Sequence, residues 1–276
     1  MNTSKINLFG NTRTIFTVFI YNLLIFNIQG QPSSWSAALS ESTTAARDPW
    51  SVTNNVAGIT LSKQWILGAT IENRYQVKGL NYGTLFLSAP LKNGNIGITL
   101  HHIGFSSYLA STTALFYTRK FNPGISAGIK LHYQNEGIVH EHMDHDVYAS
   151  IGMIIDLSGN LSAGIHILKP SQYLGKKNME TDPPHIRIGM DYFLTKNLHL
   201  MTALLRERFN QTILAGGLEY IFRERFFLRF GVSSGQRFLS MGSGVKWAGI
   251  RLDISASYHQ ILGFSPVCSI LYAFAK

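Results

Sequence analysis

A single cysteine in 276 residues leaves no partner for a disulfide, so a small disulfide-stapled scaffold is excluded. Charge is scarce too: 14% of residues are Asp, Glu, Lys or Arg, where a soluble domain averages about 25%. So little charge beside 12% aromatics excludes a disordered chain. Beyond residue 30 there is no stretch of roughly 20 apolar residues, which excludes a helical membrane protein. No H-E-x-x-H, P-loop or G-x-G-x-x-G motif is present, and the chain reads as non-enzymatic and without a cofactor. No nucleic-acid recognition motif accompanies the formal charge of +9.

The first thirty residues carry no acid; the first carboxylate is Glu41. Lys5 and Arg13 precede an apolar run from Ile15 to Ile28. That run is too short to span a bilayer comfortably and suits the core of a signal peptide, so residues 1–30 are expected to be an export signal. The alternative is a retained anchor helix.

From about residue 61 the sequence alternates with period two, the mark of strands. Between 250 and 259, Ile250, Leu252, Ile254, Ala256 and Tyr258 alternate with Arg251, Asp253, Ser255, Ser257 and His259. The same rhythm runs through 65–72, 96–101, 125–134, 147–156, 186–192 and 226–233. Short polar turns lie at 92–95, 120–124, 157–160, 195–197, 223–225 and 248–249. Asn and Gly in several of them are expected to supply positive φ. Other connections fall at 74–81, 105–111, 135–146, 169–185, 206–211, 233–237 and 259–266, which makes fourteen strands.

Alternation fits both a soluble sandwich and a membrane barrel. An even strand count, short turns alternating with longer loops, and charge confined to one face favour an all-β transmembrane antiparallel barrel. A Lys or Arg facing mid-bilayer lipid costs about 2–4 kcal/mol, so such segregation is what a barrel requires. The Gly- and Ser-rich polar face is expected to leave room inside. On this reading Lys130, His132, His166, Arg187, Asp191, Glu219, Arg229, Arg251, Asp253 and His259 line the lumen, as a ligand rim or as ion pairs bracing the wall. The basic excess would attract anionic lipopolysaccharide or solutes.

Residues 47–61 read RDPWSVTNNVAGITL. They resemble the D-x-W/P-S-x-x-x-N-x-A-G-L signature of FadL-type and PorV/PorQ-type outer-membrane barrels. The match falls on Asp48, Trp50, Ser51, Asn55, Ala57 and Gly58; Val56 stands where a proline is usual and Ile59 where a leucine is. Glu72-Asn73-Arg74 and the run from Ser257 to Pro266 also resemble the PorV/PorQ-like branch. The resemblance implies a barrel of about fourteen strands in the bacterial outer membrane, residues 61–276, with 31–60 tucked into its lumen. It implies carriage of a hydrophobic or amphiphilic ligand, or an accessory role in type IX secretion with secretion-system partners. From composition alone, 34–46 is expected to be a short helix and 31–60 a plug or periplasmic segment.

Two weaker candidates remain. His140, His142 and His145 stand among carboxylates at a spacing that a metal could use. Ser257 and His259 share a strand face, as a hydrolase pair would, though such spacing is common.

Overall fold

A computed structural model describes residues 33–274 apart from 106–107, 139–142, 171–184 and 207–211. The expected export signal, His140 and His142 lie outside the described residues. Fourteen antiparallel strands close into one barrel in sequence order. They are β1 Ile66–Asn73, β2 Asn81–Leu91, β3 Gly94–Phe105, β4 Tyr108–Asn122, β5 Ile125–Ile138, β6 Met143–Ser158 and β7 Leu161–Leu168. β8 His185–Thr195, β9 Leu198–Arg206, β10 Thr212–Phe222, β11 Phe226–Ser233, β12 Leu239–Trp247, β13 Ile250–His259 and β14 Gly263–Ala273 complete the ring. Closure runs from β14 to β1 in the register Ala273–Ile66 through Val267–Glu72, so neither strand is left with an unpaired edge.

The alternation sorts side chains as the sequence implied. Along β13, Ile250, Leu252 and Ile254 are exposed on the outer face, while Arg251, Asp253 and Ser255 are buried inside. The outer wall is a continuous apolar surface that includes Leu67, Leu115, Ile129, Ile188, Leu214 and Leu228. In water so large a patch would be untenable; in hydrocarbon it has no cost.

Several details differ from the sequence reading. β4, β5 and β6 run through most of 105–111 and 135–146, which were expected to be loops. Where strands rise past the apolar belt both faces meet water, so alternation stops although pairing continues; Asn135 still pairs with His145. The connection after β13 likewise shrinks to 260–262. Positive φ occurs at Arg223, Glu224, Ala248 and Gly249, not at Asn93, Gly94, Gly159 or Asn160. Gly94 is needed for another reason: a Cβ there would collide with the Thr118 carbonyl on the neighbouring strand.

Inside lies the N-terminal segment. Helix α1 spans only Ser34–Ala38, capped by the Ser33 hydroxyl accepting from the Ser36 amide at 3.2 Å. The expected continuation to 46 fails because Ser40 and Glu41 take left-handed φ of 48° and 65° and turn the chain sharply. Two 3₁₀ turns follow, Pro49–Thr53 and Val56–Leu61. Trp35, Leu39, Trp50, Val52, Val56 and Ile59 pack with Phe86, Phe116, Met201 and Leu271 of the wall. The core of this protein is therefore a plug against the barrel's inner face.

Candidate functional site: the plugged lumen

The glycines expected to leave the lumen open instead seat the plug. A Cβ on Gly231 would stand 2.5 Å from the Leu39 carbonyl carbon, and one on Gly164 2.5 Å from the Thr44 carbonyl oxygen. One on Gly217 would stand 2.5 Å from the Ser42 hydroxyl, and one on Gly242 2.7 Å from Ala38. At Gly152 it would collide with the Asn55 side chain. These positions trace a groove around the wall from β6 to β12 that seats plug main chain at Gly164 and Gly231 and short plug side chains at the others.

The motif residues of 47–61 now have physical roles. Asp48 caps the first 3₁₀ turn, its carboxylate accepting from the Trp50 amide at 2.8 Å. Ser51 returns the favour, accepting from the Asp48 amide at 3.2 Å and donating to the Ala46 carbonyl at 3.0 Å. Asn55 accepts from the Ala57 amide at 3.2 Å. Its side-chain amide donates to the Thr44 carbonyl at 2.8 Å and approaches the Met153 and Ile165 carbonyls at 3.2 and 3.3 Å, which fixes the plug to β6 and β7. Gly58 leaves room for Ser51 and the Ala46 carbonyl. Trp50 meets Phe86 edge-on at 5.2 Å, and Ala57 is wholly buried.

Two ionic networks bracket this core. At the short-turn end, four predicted lumenal residues form one chain. Glu219 accepts from Arg229 at 2.6 Å, Arg229 donates to Asp253 at 2.7 Å, and Asp253 accepts from Arg251 at 2.7 Å. Arg251 then reaches Asp48 of the plug at 2.6 Å. Arg229 and Asp253 are fully buried, so each needs the other's charge. Arg47 adds a second tie, to Asp156 at 2.8 Å and Ser126 at 2.7 Å.

Toward the long loops the links run through Glu41. Arg237 donates to Glu41 at 3.0 Å and to both Glu72 oxygens at 3.0 Å, while Arg187 lies 3.4 Å from Glu41. Arg74 joins Glu72 at 3.3 Å and stacks on Tyr82. Glu41 and Arg237 were missed from sequence: a carboxylate in a short polar segment and an arginine in a connecting loop carry no alternation signal.

Of the other predicted lumenal residues, Lys130 donates to the Val52 carbonyl of the plug at 2.8 Å. His132 bonds Ser150 at 3.0 Å and stacks on Tyr148. His166 and Asp191 are buried on the inner face, Asp191 beyond hydrogen-bond reach of the ionic chain. His259 is half-buried at the rim, edge-on to Tyr75 at 5.6 Å and outside the ionic networks. Its Nδ1 accepts from the Ile261 and Leu262 amides at 3.1 Å, closing the β13–β14 loop at the rim. Ala203, Leu205 and Ala215 with Ile213 form a buried apolar stretch of the inner wall on β9 and β10.

Hydrolase chemistry finds no geometry in the described residues. Ser257 accepts from Arg237 at 2.5 Å, and His259 is occupied by its loop. The G-x-S-x-G pattern occurs twice, at 124–128 and 231–235. Neither forms a strand-to-helix elbow. Ser126 accepts from Arg47, and Ser233 donates to the Arg237 carbonyl at 2.9 Å. His145 lies on β6, stacked on Tyr133, and no group of three metal-ligating side chains occurs among the described residues.

The fourteen-strand barrel has counterparts among solved structures. The Pseudomonas putida toluene transporter TodX superposes with a TM-score of 0.61 at 11% identity, over 90% of this chain and 98% of that one. The monoaromatic hydrocarbon channel CymD gives 0.65 at 12% identity, over 91% and 99%. A Pseudomonas aeruginosa FadL homologue gives 0.60 at 12% identity, over 88% and 98%. At such identities the likeness is one of fold. No protein-family model and no curated protein matches the sequence.

Proposed function

We propose that the chain is an outer-membrane barrel that binds and passes a hydrophobic or amphiphilic small molecule. The observation that carries this reading is the two-sided chemistry of the barrel's inner wall. An apolar stretch of β9 and β10 stands in the same lumen as Lys130, His132 and His166 on β5 and β7. Such a lining suits a ligand with an apolar body and a polar or anionic end. The shared fold supports it, since TodX is a toluene transporter and CymD a monoaromatic hydrocarbon channel. The apolar outer wall supports residence in a bilayer, with outer-membrane lipid as its surroundings.

Calorimetric titration of the nanodisc-embedded barrel with toluene and with an alkyl carboxylate tests this. Saturable binding is expected, weakened roughly tenfold by Leu205→Asp, which puts a charge on the apolar stretch. Leu204→Ser, on the outer face of the same strand, leaves it unchanged. No saturable binding of either probe contradicts the proposal.

A second reading is favoured by the ionic ties at both ends of the plug: a blocked barrel whose external rim docks other proteins. Secretion-system partners of the PorV/PorQ kind rest on the sequence resemblance in 47–61, 72–74 and 257–266 alone. Stable co-purification with a defined partner, with no ligand binding, would favour this reading over the first.

A further inference from the structure

The two rims of the barrel differ in charge. At the short-turn end, Lys92, Lys196, Arg223 and Arg225 stand in the turns, and Arg119 and Lys120 close β4. Lys63 precedes β1 and Lys246 lies one residue from the end of β12. The acids at this rim are Glu224 and Asp156, and Asp156 is taken by Arg47 from the plug. None of these eight cations has a carboxylate partner among the described residues.

The long-loop rim is balanced. Its described cations Lys78, Lys169 and Arg206 face Glu136, Asp144 and Asp146. By sequence the remaining connections add Lys176, Lys177 and Arg208 against Glu141, Glu180, Asp182 and Glu207. The positive charge that the sequence reading assigned to lipopolysaccharide is therefore gathered at the opposite end from the long loops.

The basic rim is interleaved with outward aromatics. Trp65 is 53% exposed, Phe121 64% and Trp247 74%, with Phe222, Phe226 and Phe274 around the same circumference. Arg119 sits over Phe121 at 5.6 Å and Arg223 over Phe222 at 5.1 Å. Aromatic rings at this level mark where hydrocarbon gives way to headgroups. Arg119 and Arg223 thus stand at headgroup depth against the lipid-facing wall, with the other turn cations at the same end of the barrel. An anionic surface complements them, each Lys or Arg adding to the attraction.

We infer that the short-turn rim selects anionic phospholipid, a phosphatidylglycerol or cardiolipin headgroup, from the adjoining leaflet. The inference rests on the bilayer residence proposed above. The selection would anchor the barrel at that face and set its depth in the membrane.

Trp65 and Trp247 are native reporters for the test. The full chain is refolded into vesicles of phosphatidylethanolamine and phosphatidylglycerol in which one lipid at a time carries brominated acyl chains. Quenching measures which lipid adjoins the rim. The expected result is an annulus enriched about threefold in the anionic lipid over its bulk fraction. The preference should collapse in about 0.5 M salt. It should also be lost in a variant combining Lys92→Gln, Lys120→Gln, Lys196→Gln, Arg223→Gln and Arg225→Gln. The salt arm uses the unaltered chain, so a folding defect in the variant leaves the test intact. Equal quenching by both brominated lipids overturns the inference and would turn attention to an acidic soluble partner. Absence of quenching by either lipid would instead remove bilayer residence itself.

Discussion

The two ionic networks of the lumen hold the same plug by different means. At the short-turn end, Glu219, Arg229, Asp253 and Arg251 belong to consecutive or nearby strands and would remain paired if the plug left; Asp48 only extends their chain. Toward the long loops, Arg187 and Arg237 converge on Glu41, a single plug carboxylate. The lower network is part of the wall, and the upper one joins wall to plug through Glu41. The comparison teaches where stability and opening are separately controlled. Substitutions below should unfold the barrel, and substitutions above should loosen the plug.

The largest effect is expected at Arg229. Arg229→Met leaves Glu219 and Asp253 buried without their shared partner, at a cost of about 3–5 kcal/mol. Urea unfolding in vesicles, read by the heat-dependent gel shift, measures it. A cost no greater than that of an exposed arginine such as Arg225→Met would erase the distinction between the networks. Gly152→Ala comes next, since its methyl meets Asn55. It should cost about 1–3 kcal/mol, as overpacked cores do. Limited proteolysis after residue 33 should also become faster, reporting displacement of the plug.

Glu41→Gln sharpens the contrast. It should change barrel unfolding by about 1 kcal/mol or less, because partners remain for Arg237 in Glu72 and Ser257. Hydrogen exchange in 33–61 should nonetheless rise several-fold. Equal losses of wall and plug protection would merge the two networks into one. The smallest effect is expected at the rim turn, where Ala248 has φ 47° before Gly249 at 83°. Ala248→Asn, which restores the Asn-Gly pair preferred in such hairpins, should stabilise by a few tenths of a kcal/mol up to about 1.

Strand number and facing were legible in the sequence because membrane and lumen impose opposite demands on alternate residues. Arg251, Asp253 and Ile254 can be sorted by eye. That rule lapses above the belt, which is why β4 to β6 read as loops near 105–111 and 135–146. The plug could be recognised from Asp48, Trp50, Ser51 and Asn55, but its seat could not. A glycine such as Gly231 or Gly164 reads as an empty place, and only coordinates reveal that another stretch of main chain fills it. Nine of the ten residues assigned to the lumen are buried or bonded inside the barrel; His259, half-buried at the rim, caps the loop that follows it. The upper link was illegible for a related reason. Arg237 folds inward from a connection, and no local pattern distinguishes that from an arginine in water.

The central claim is that neighbouring residues of one strand meet hydrocarbon and a filled lumen. Spin labels at Ile254→Cys and Ser255→Cys, each in a Cys268→Ser background in vesicles, test it directly. The account predicts that the label at 254 is relaxed by oxygen and not by a water-soluble nickel complex, and that the label at 255 is shielded from both by the plug. Strong relaxation of the 254 label by the nickel complex would contradict it.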